Sequence, residues 1–172
     1  NHDMSLHLVM KVDQCERVPE RGEKAEIGVV DRNGVYTALT TTRTWCHQQG
    51  CMALWLKHRP DCFIYNDYDE KSGNLLARIF QIGKGIVGTY ERPVYSMSPD
   101  GRYAASLNFG RNPRRGYSYA DDPLPLENHP DLDKDGIFII DLHTGAVNLA
   151  VAYRRIFEAH QVPYELEARH IW

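Results

Sequence analysis

The chain has 172 residues, enough for one domain with a sizeable core, and 42% apolar against 25% charged residues is the balance of an ordinary globular protein. A net charge of −3 excludes a general electrostatic pull toward nucleic acid or an anionic membrane, and no apolar run is long enough to cross a bilayer. No signal peptide stands at Asn1, and Met4 is an alternative start. A cytoplasmic location is therefore expected, or a periplasmic one where a signal peptide has been removed.

Ser5 to Val12 alternates partly, with Leu6, Leu8, Met10 and Val12 on one side, and predicts a strand. Ala25 to Asp31 predicts the next, and Asn33-Gly34 is a hairpin signal before Val35 to Thr40. Cys51 to Leu56 is an apolar strand, followed by the turn Lys57 to Asp61 and a strand over Cys62 to Asp67. Leu75 to Phe80 and Gly85 to Tyr90 pair around a glycine turn at Gly83. Val94 to Met97, the turn Ser98-Pro99-Asp100-Gly101-Arg102 and Tyr103 to Asn108 open a further unit. After an insertion from Phe109 to Asp135, Gly136 to Asp141 and Ala146 to Val151 close it around Leu142 to Gly145. Tyr153 to His160 predicts a short helix with Ile156 and Phe157 on its apolar side, and Glu167 to Trp172 resembles the approach to another such unit.

This pattern returns about every 50 residues, a spacing typical of propellers and solenoids. Four short antiparallel strands joined by tight turns are the plan of one propeller blade. The expected fold is all-β, with about three blades over residues 1–43, 44–92 and 93–153 in a single partial propeller domain spanning 1–172. The alternative is a small two-sheet β fold with irregular loops. Closure of a propeller takes about four blades or more, so a homo-oligomer or a longer chain is expected to complete the ring.

Propellers carry their chemistry on loops, which directs attention to Thr44 to Cys51. His47 and Gln49 offer an imidazole nitrogen and an amide oxygen, donors suited to a divalent metal or a sugar hydroxyl. His170 occupies the corresponding approach to a next blade, and His2 lies near the start of the first. Histidines from several blade entrances converging on one axis would build a metal site from ligands distant in sequence. The bland alternative is that they are hydrogen-bonded surface side chains. The insertion brings Arg111, Arg115, Tyr117 and Tyr119: guanidinium groups for carboxylates or phosphates, and rings that stack on sugar faces. Arg92 could reach the axial site, although Arg92-Pro93 also serves to position the next blade. Asp131 to Gly136 matches half a calcium loop, but Leu142 stands where the bidentate Glu belongs, which favours a polar turn. The four cysteines, Cys15, Cys46, Cys51 and Cys62, form no zinc spacing; reduced thiols are expected, with a Cys46–Cys51 bridge as the alternative.

His47-Gln48-Gln49-Gly50-Cys51-Met52, Ile64-Tyr65-Asn66-Asp67, Arg92-Pro93-Val94-Tyr95, Ser98-Pro99-Asp100-Gly101, Gly116-Tyr117-Ser118-Tyr119 and Asp135-Gly136-Ile137-Phe138 occur in that order. The series resembles bacterial β-propeller proteins of the oligogalacturonide lyase-like and TolB-like group. The resemblance implies a seven-bladed ring and a divalent metal, manganese or calcium, held by His and Gln on the axis. His47, Gln49 and His170 are the nearest matches to such ligands, and His47 or His170 to the base that removes a proton.

Two functions follow from this resemblance. One is a metal-dependent lyase that performs β-elimination on an acidic oligosaccharide. There the metal would bind the uronate carboxylate, a His would take the adjacent proton, and Arg92, Arg111, Arg115, Tyr117 and Tyr119 would hold substrate. The other is a non-catalytic TolB-like binding module for a glycan or a protein. An acidic oligosaccharide or another small molecule is the expected partner, with no nucleic acid and no membrane.

Overall fold

The computed structural model describes residues 3–109 and 131–159. The described chain is all-β apart from one short helix and forms three antiparallel sheets. The first is a meander of β1 (Leu6–Lys11), β2 (Ala25–Asp31) and β3 (Tyr36–Thr42). The second runs β4 (Leu54–Trp55), β5 (Cys62–Asp69), β6 (Asn74–Gln81), β7 (Gly85–Tyr90). The third runs β8 (Ser96–Met97), β9 (Tyr103–Ser106), β10 (Gly136–Asp141), β11 (Val147–Ala152), and α1 (Tyr153–Ala159) follows it directly. Ile156 and Phe157 are half-buried on that helix, and His160 lies outside the described residues.

Strand alternation decides how the sheets stack. On β5 and β6, Phe63, Tyr65 and Phe80 join a core with Ala25 and Ile27 of the first sheet. The intervening Cys62, Ile64, Ala77 and Ile79 join a separate core with Ala104 and Ile140 of the third. The second sheet is therefore the middle layer, buried on both faces, which is why Cys62 to Asn66 contains no exposed residue. Phe63 stacks on Phe80 at 5.2 Å and meets Trp55 edge-on at 5.9 Å, the two favoured aromatic geometries.

The turns follow their side-chain chemistry. Asp100 accepts hydrogen bonds from Ser98 Oγ at 2.5 Å and from the Arg102 amide at 3.0 Å, and Gly101 takes φ +73°. Gly28 has a different role, because a Cβ there would lie 2.4 Å from the Tyr36 ring that covers it.

Three expected strands are corrected. Cys51 to Leu56 shortens to Leu54–Trp55, because Met52 adopts φ 54°, outside the β region, and the Cys51 carbonyl accepts from the Asn66 amide at 2.8 Å. Val94 to Met97 shortens to Ser96–Met97, because Val94 is held by the Asn66 side chain. Val35 belongs to the hairpin turn, where its amide donates to Asp31 Oδ1 at 2.9 Å. Among the described residues no helix is long and apolar enough to cross a membrane.

Candidate anion-binding site

Two connections carry the chain from the last strand of one sheet to the first strand of the next. The β3–β4 connection holds His47 and Gln49. It is pinned from below by Trp45, which is fully buried and donates from Nε1 to the Glu23 carbonyl at 2.8 Å. Cys46 and Gly50 exchange backbone hydrogen bonds at 3.1 and 2.9 Å, a tight turn that Gly50 permits at φ +61°. His47 is exposed, its ring edge-on to Trp45 at 5.1 Å, and its Nε2 sits 2.8 Å from the Arg17 carbonyl. Gln49 is half-buried, and its Oε1 is one of two buried side-chain polar atoms without a partner among the described residues; the other is Thr44 Oγ1, five positions away on the same connection.

The loop before β2 closes over this connection through Glu23. Its carboxylate takes hydrogen bonds from Arg17 Nη1 at 2.8 Å and from the Glu20 amide at 2.8 Å. Arg17 first, then the Glu20 amide, hold the Glu23 carboxyl down at about 2. Because the folded value is depressed, this contribution is full above the ordinary 4.5 and is lost as pH falls through about 2. A carboxyl-carbon NMR titration of Glu23 is expected to show that low midpoint, and Arg17→Gln to move it up toward 4.5. A wild-type midpoint near 4.5 would contradict the arrangement.

The β7–β8 connection holds Arg92 and is anchored by hydrogen bonds to the second and third sheets. Asn66, fully buried on β5, clasps the next residue but one: Val94 N donates to Asn66 Oδ1 at 2.7 Å, and Asn66 Nδ2 donates to Val94 O at 2.8 Å. Tyr95 N then donates to Ala105 O at 2.8 Å. Pro93 fixes φ between the clasp and the arginine. So held, the Arg92 guanidinium lies over Phe138, with Cζ 3.6 Å from the ring centroid, and Nε reaches Ser106 Oγ at 3.4 Å. Burial lowers the guanidinium below its ordinary value, and the nearby Asp135 carboxylate and Tyr153 oppose that shift. An arginine stays charged under such a perturbation. Among the described residues its terminal nitrogens make no hydrogen bond or ion pair.

Asp135 itself is buried and already engaged. Its Oδ2 accepts from Asn108 Nδ2 at 2.9 Å, its Oδ1 from the Gly136 amide at 2.9 Å, and its backbone carbonyl from the Tyr153 amide at 3.0 Å. The Asn108–Asp135 bond thus closes the base of the insertion, and Arg92 stands beside that base. Half-buried over a ring and with its outer donors uncommitted among the described residues, this guanidinium has the geometry that suits a bidentate carboxylate or phosphate.

Among the described residues no hydrogen bond, ion pair or ring contact joins His47 or Gln49 directly to Arg92, but Asn66 bonds both connections, its backbone amide donating to Cys51 O at 2.8 Å and its side chain holding Val94. His2, Arg111, Arg115, Tyr117, Tyr119 and His170 lie outside the described residues. Among the described residues no group of three His, Cys, Asp or Glu side chains is placed to hold a metal ion. In the Asp131 to Gly136 turn each carboxylate is used within the chain: Asp131 pairs with Lys134 at 3.1 Å, and Asp133 with Arg154 at 2.5 and 2.7 Å. The four cysteines are free thiols, and burial pushes the Cys51 thiol up to about 12, which keeps it inert.

Sequence reasoning singled out Arg92 and missed what aims it. Phe138 and Ser106 read as ordinary strand residues, Asn66 stands out only within the Ile64-Tyr65-Asn66-Asp67 motif, and only the position of Asn108 and Asp135 at the two ends of the insertion signals that they close it. Comparison with protein-family profiles, with curated proteins and with solved structures finds no match to this chain.

Proposed function

We propose that this chain is a stack of propeller-type blades that serves as a binding module for an acidic ligand, an acidic oligosaccharide being the best fit. Three antiparallel meanders packed face to face, each next one opening on a two-residue strand, support the propeller reading. Further blades, from other copies or a longer chain, would complete the ring. The observation that carries the binding function is Arg92: a guanidinium over Phe138, fixed by the Asn66 clasp, with its terminal donors uncommitted among the described residues. The base of the insertion lies against it, so Arg111, Arg115, Tyr117 and Tyr119 are proposed as the further contacts to the ligand.

Calorimetric titration with trigalacturonate tests this reading, with maltotriose as the neutral counterpart. Trigalacturonate is expected to bind and maltotriose not. Arg92→Gln is expected to weaken binding about tenfold or more, the scale of one charge-assisted hydrogen-bonded pair. Arg92→Lys restores the charge without the planar fork or the stacking, and so recovers only part. Equal binding of the two trisaccharides, or an Arg92→Gln variant that binds like wild type, would overturn the proposal. Unsaturated uronate product appearing with added manganese would replace the binding-only reading with a lyase.

A further inference from the structure

A second cationic feature lies at the opposite end of the third sheet. Strand β10 begins beside Arg92 and ends, after about 20 Å of extended chain, at the β10–β11 turn. There a cavity of about 590 Å³ opens between the second and third sheets. Its rim carries Lys57, His58 and Arg59 from the β4–β5 turn, Arg102 from the β8–β9 turn and His143 from the β10–β11 turn. None of its lining residues is a carboxylate.

The rim is assembled by contacts between the two sheets. Lys57 Nζ donates to Pro99 O at 2.6 Å, and His58 Nε2 lies 2.8 Å from Asp100 O. Gly101 makes that approach feasible, since a Cβ there would lie 2.8 Å from Lys57 Cβ. Among the described residues neither Lys57 nor Arg59 makes a close ion pair, although the Asp100 carboxylate stands near Lys57 and the Asp61 carboxylate near Arg59. Arg102 pairs with Asp141 at 3.5 Å and lies over the Tyr103 ring, 4.9 Å from its centroid, with its side chain 61% exposed. Asp141 Oδ1 accepts from the His143 and Thr144 amides at 2.9 and 3.0 Å, and its Oδ2 faces Arg102. The floor differs from the rim. Leu56 and Ile79 are buried there, and Tyr90 lies beside them with its hydroxyl donating to Leu142 O at 2.5 Å.

Three permanent positive charges line one cleft while their nearest carboxylates, Asp61, Asp100 and Asp141, stand outside its lining, and low-dielectric walls focus the cationic field on whatever enters. An apolar floor under a cationic rim selects for a molecule that is apolar on one side and anionic on the other. We propose that this cleft is a second ligand site, separate from Arg92. It takes a small ring-bearing dianion, a phosphate monoester being the simplest case. The ring packs on Leu56, Ile79 and Tyr90, and Arg59 and Arg102 hold the anion.

Phenyl phosphate is the probe, followed by amide NMR on the whole chain. Saturable shifts are expected at Lys57 to Arg59, at Gly101 and Arg102, and at Leu142 and His143. Inorganic phosphate, which lacks the ring, is expected to shift the same amides more weakly, and benzyl alcohol, which lacks the charge, not at all. The double variant R59Q/R102Q is expected to bind about tenfold more weakly or worse, on the scale of lost charge-assisted hydrogen bonds. Both side chains are exposed, and an unchanged melting temperature checks that the variant is folded. R59K/R102K keeps the charges and is expected to retain part of the affinity. Arg92→Gln leaves the cleft intact and should leave its affinity unchanged, so this site and the Arg92 site fail or stand separately. Four results would overturn the proposal: no saturable shift at these amides, shifts confined to the Arg92 region, R59Q/R102Q binding like wild type, or R92Q abolishing the cleft's binding.

Discussion

Replacing Asn66 with Leu is expected to be among the most damaging single changes in the chain. Asn66 is fully buried, and both ends of its amide are spent on Val94: Oδ1 accepts from the Val94 amide and Nδ2 donates to the Val94 carbonyl. Leucine fills nearly the same volume and can do neither. Two buried backbone groups are then left without partners, at about 1–3 kcal/mol each, so a loss of roughly 2–6 kcal/mol is expected in urea unfolding. The β7–β8 connection would also lose its anchor, so ligand affinity at Arg92 should fall even where the variant is folded. Asn66→Asp separates hydrogen bonding from shape. The introduced carboxylate can accept from the Val94 amide, but it faces the Val94 carbonyl without a proton to give. Its folded value is therefore raised, and the variant should recover stability relative to wild type as pH falls through that raised value. A leucine variant as stable as wild type would show that the clasp contributes nothing.

Trp45→Ala is the second large effect. Trp45 has no exposed surface and sits in the core shared by the first and second sheets with Ile27, Phe63 and Tyr65. Removing so large a buried ring costs about 3–5 kcal/mol, through lost transfer energy and the cavity left behind. Trp45→Phe keeps most of the ring and removes only the Nε1 bond to the Glu23 carbonyl, so about 1–2 kcal/mol is expected. The two variants should also differ at His47, whose ring leans on Trp45: its NMR signals should move strongly in the alanine variant and little in the phenylalanine one. Equal losses from both substitutions would mean that the hydrogen bond, and not the packing, carries the contribution.

Most strands were legible because their periodicity and turn residues are local signals. Ala25 to Asp31 coincides with β2, and Gly136 to Asp141 with β10. The Ser98 to Arg102 turn closes through hydrogen bonds within its own residues. Misread segments share a cause. Cys51 and Val94 are buried and Met52 and Ala53 half-buried, and burial there comes from packing across sheets, not from pairing in a ladder. An apolar run cannot distinguish the two. In the same way, nothing near Arg92 in sequence announces Phe138, which is brought beneath it by a strand beyond the insertion. His47 stood out by residue type, but its nearest polar partner is the Arg17 carbonyl, contributed by a loop in an earlier unit.

The sequence by itself determined the all-β class and the meander order of the strands, because alternation and turn chemistry belong to neighbouring positions. Only the tertiary structure decided that the second sheet is the buried middle layer, that Asn66 holds the Arg92 connection, and that five basic side chains from three separate turns share one cleft. Those relations join residues dozens of positions apart, and the face-to-face stacking of the sheets, not any local preference, brings them together.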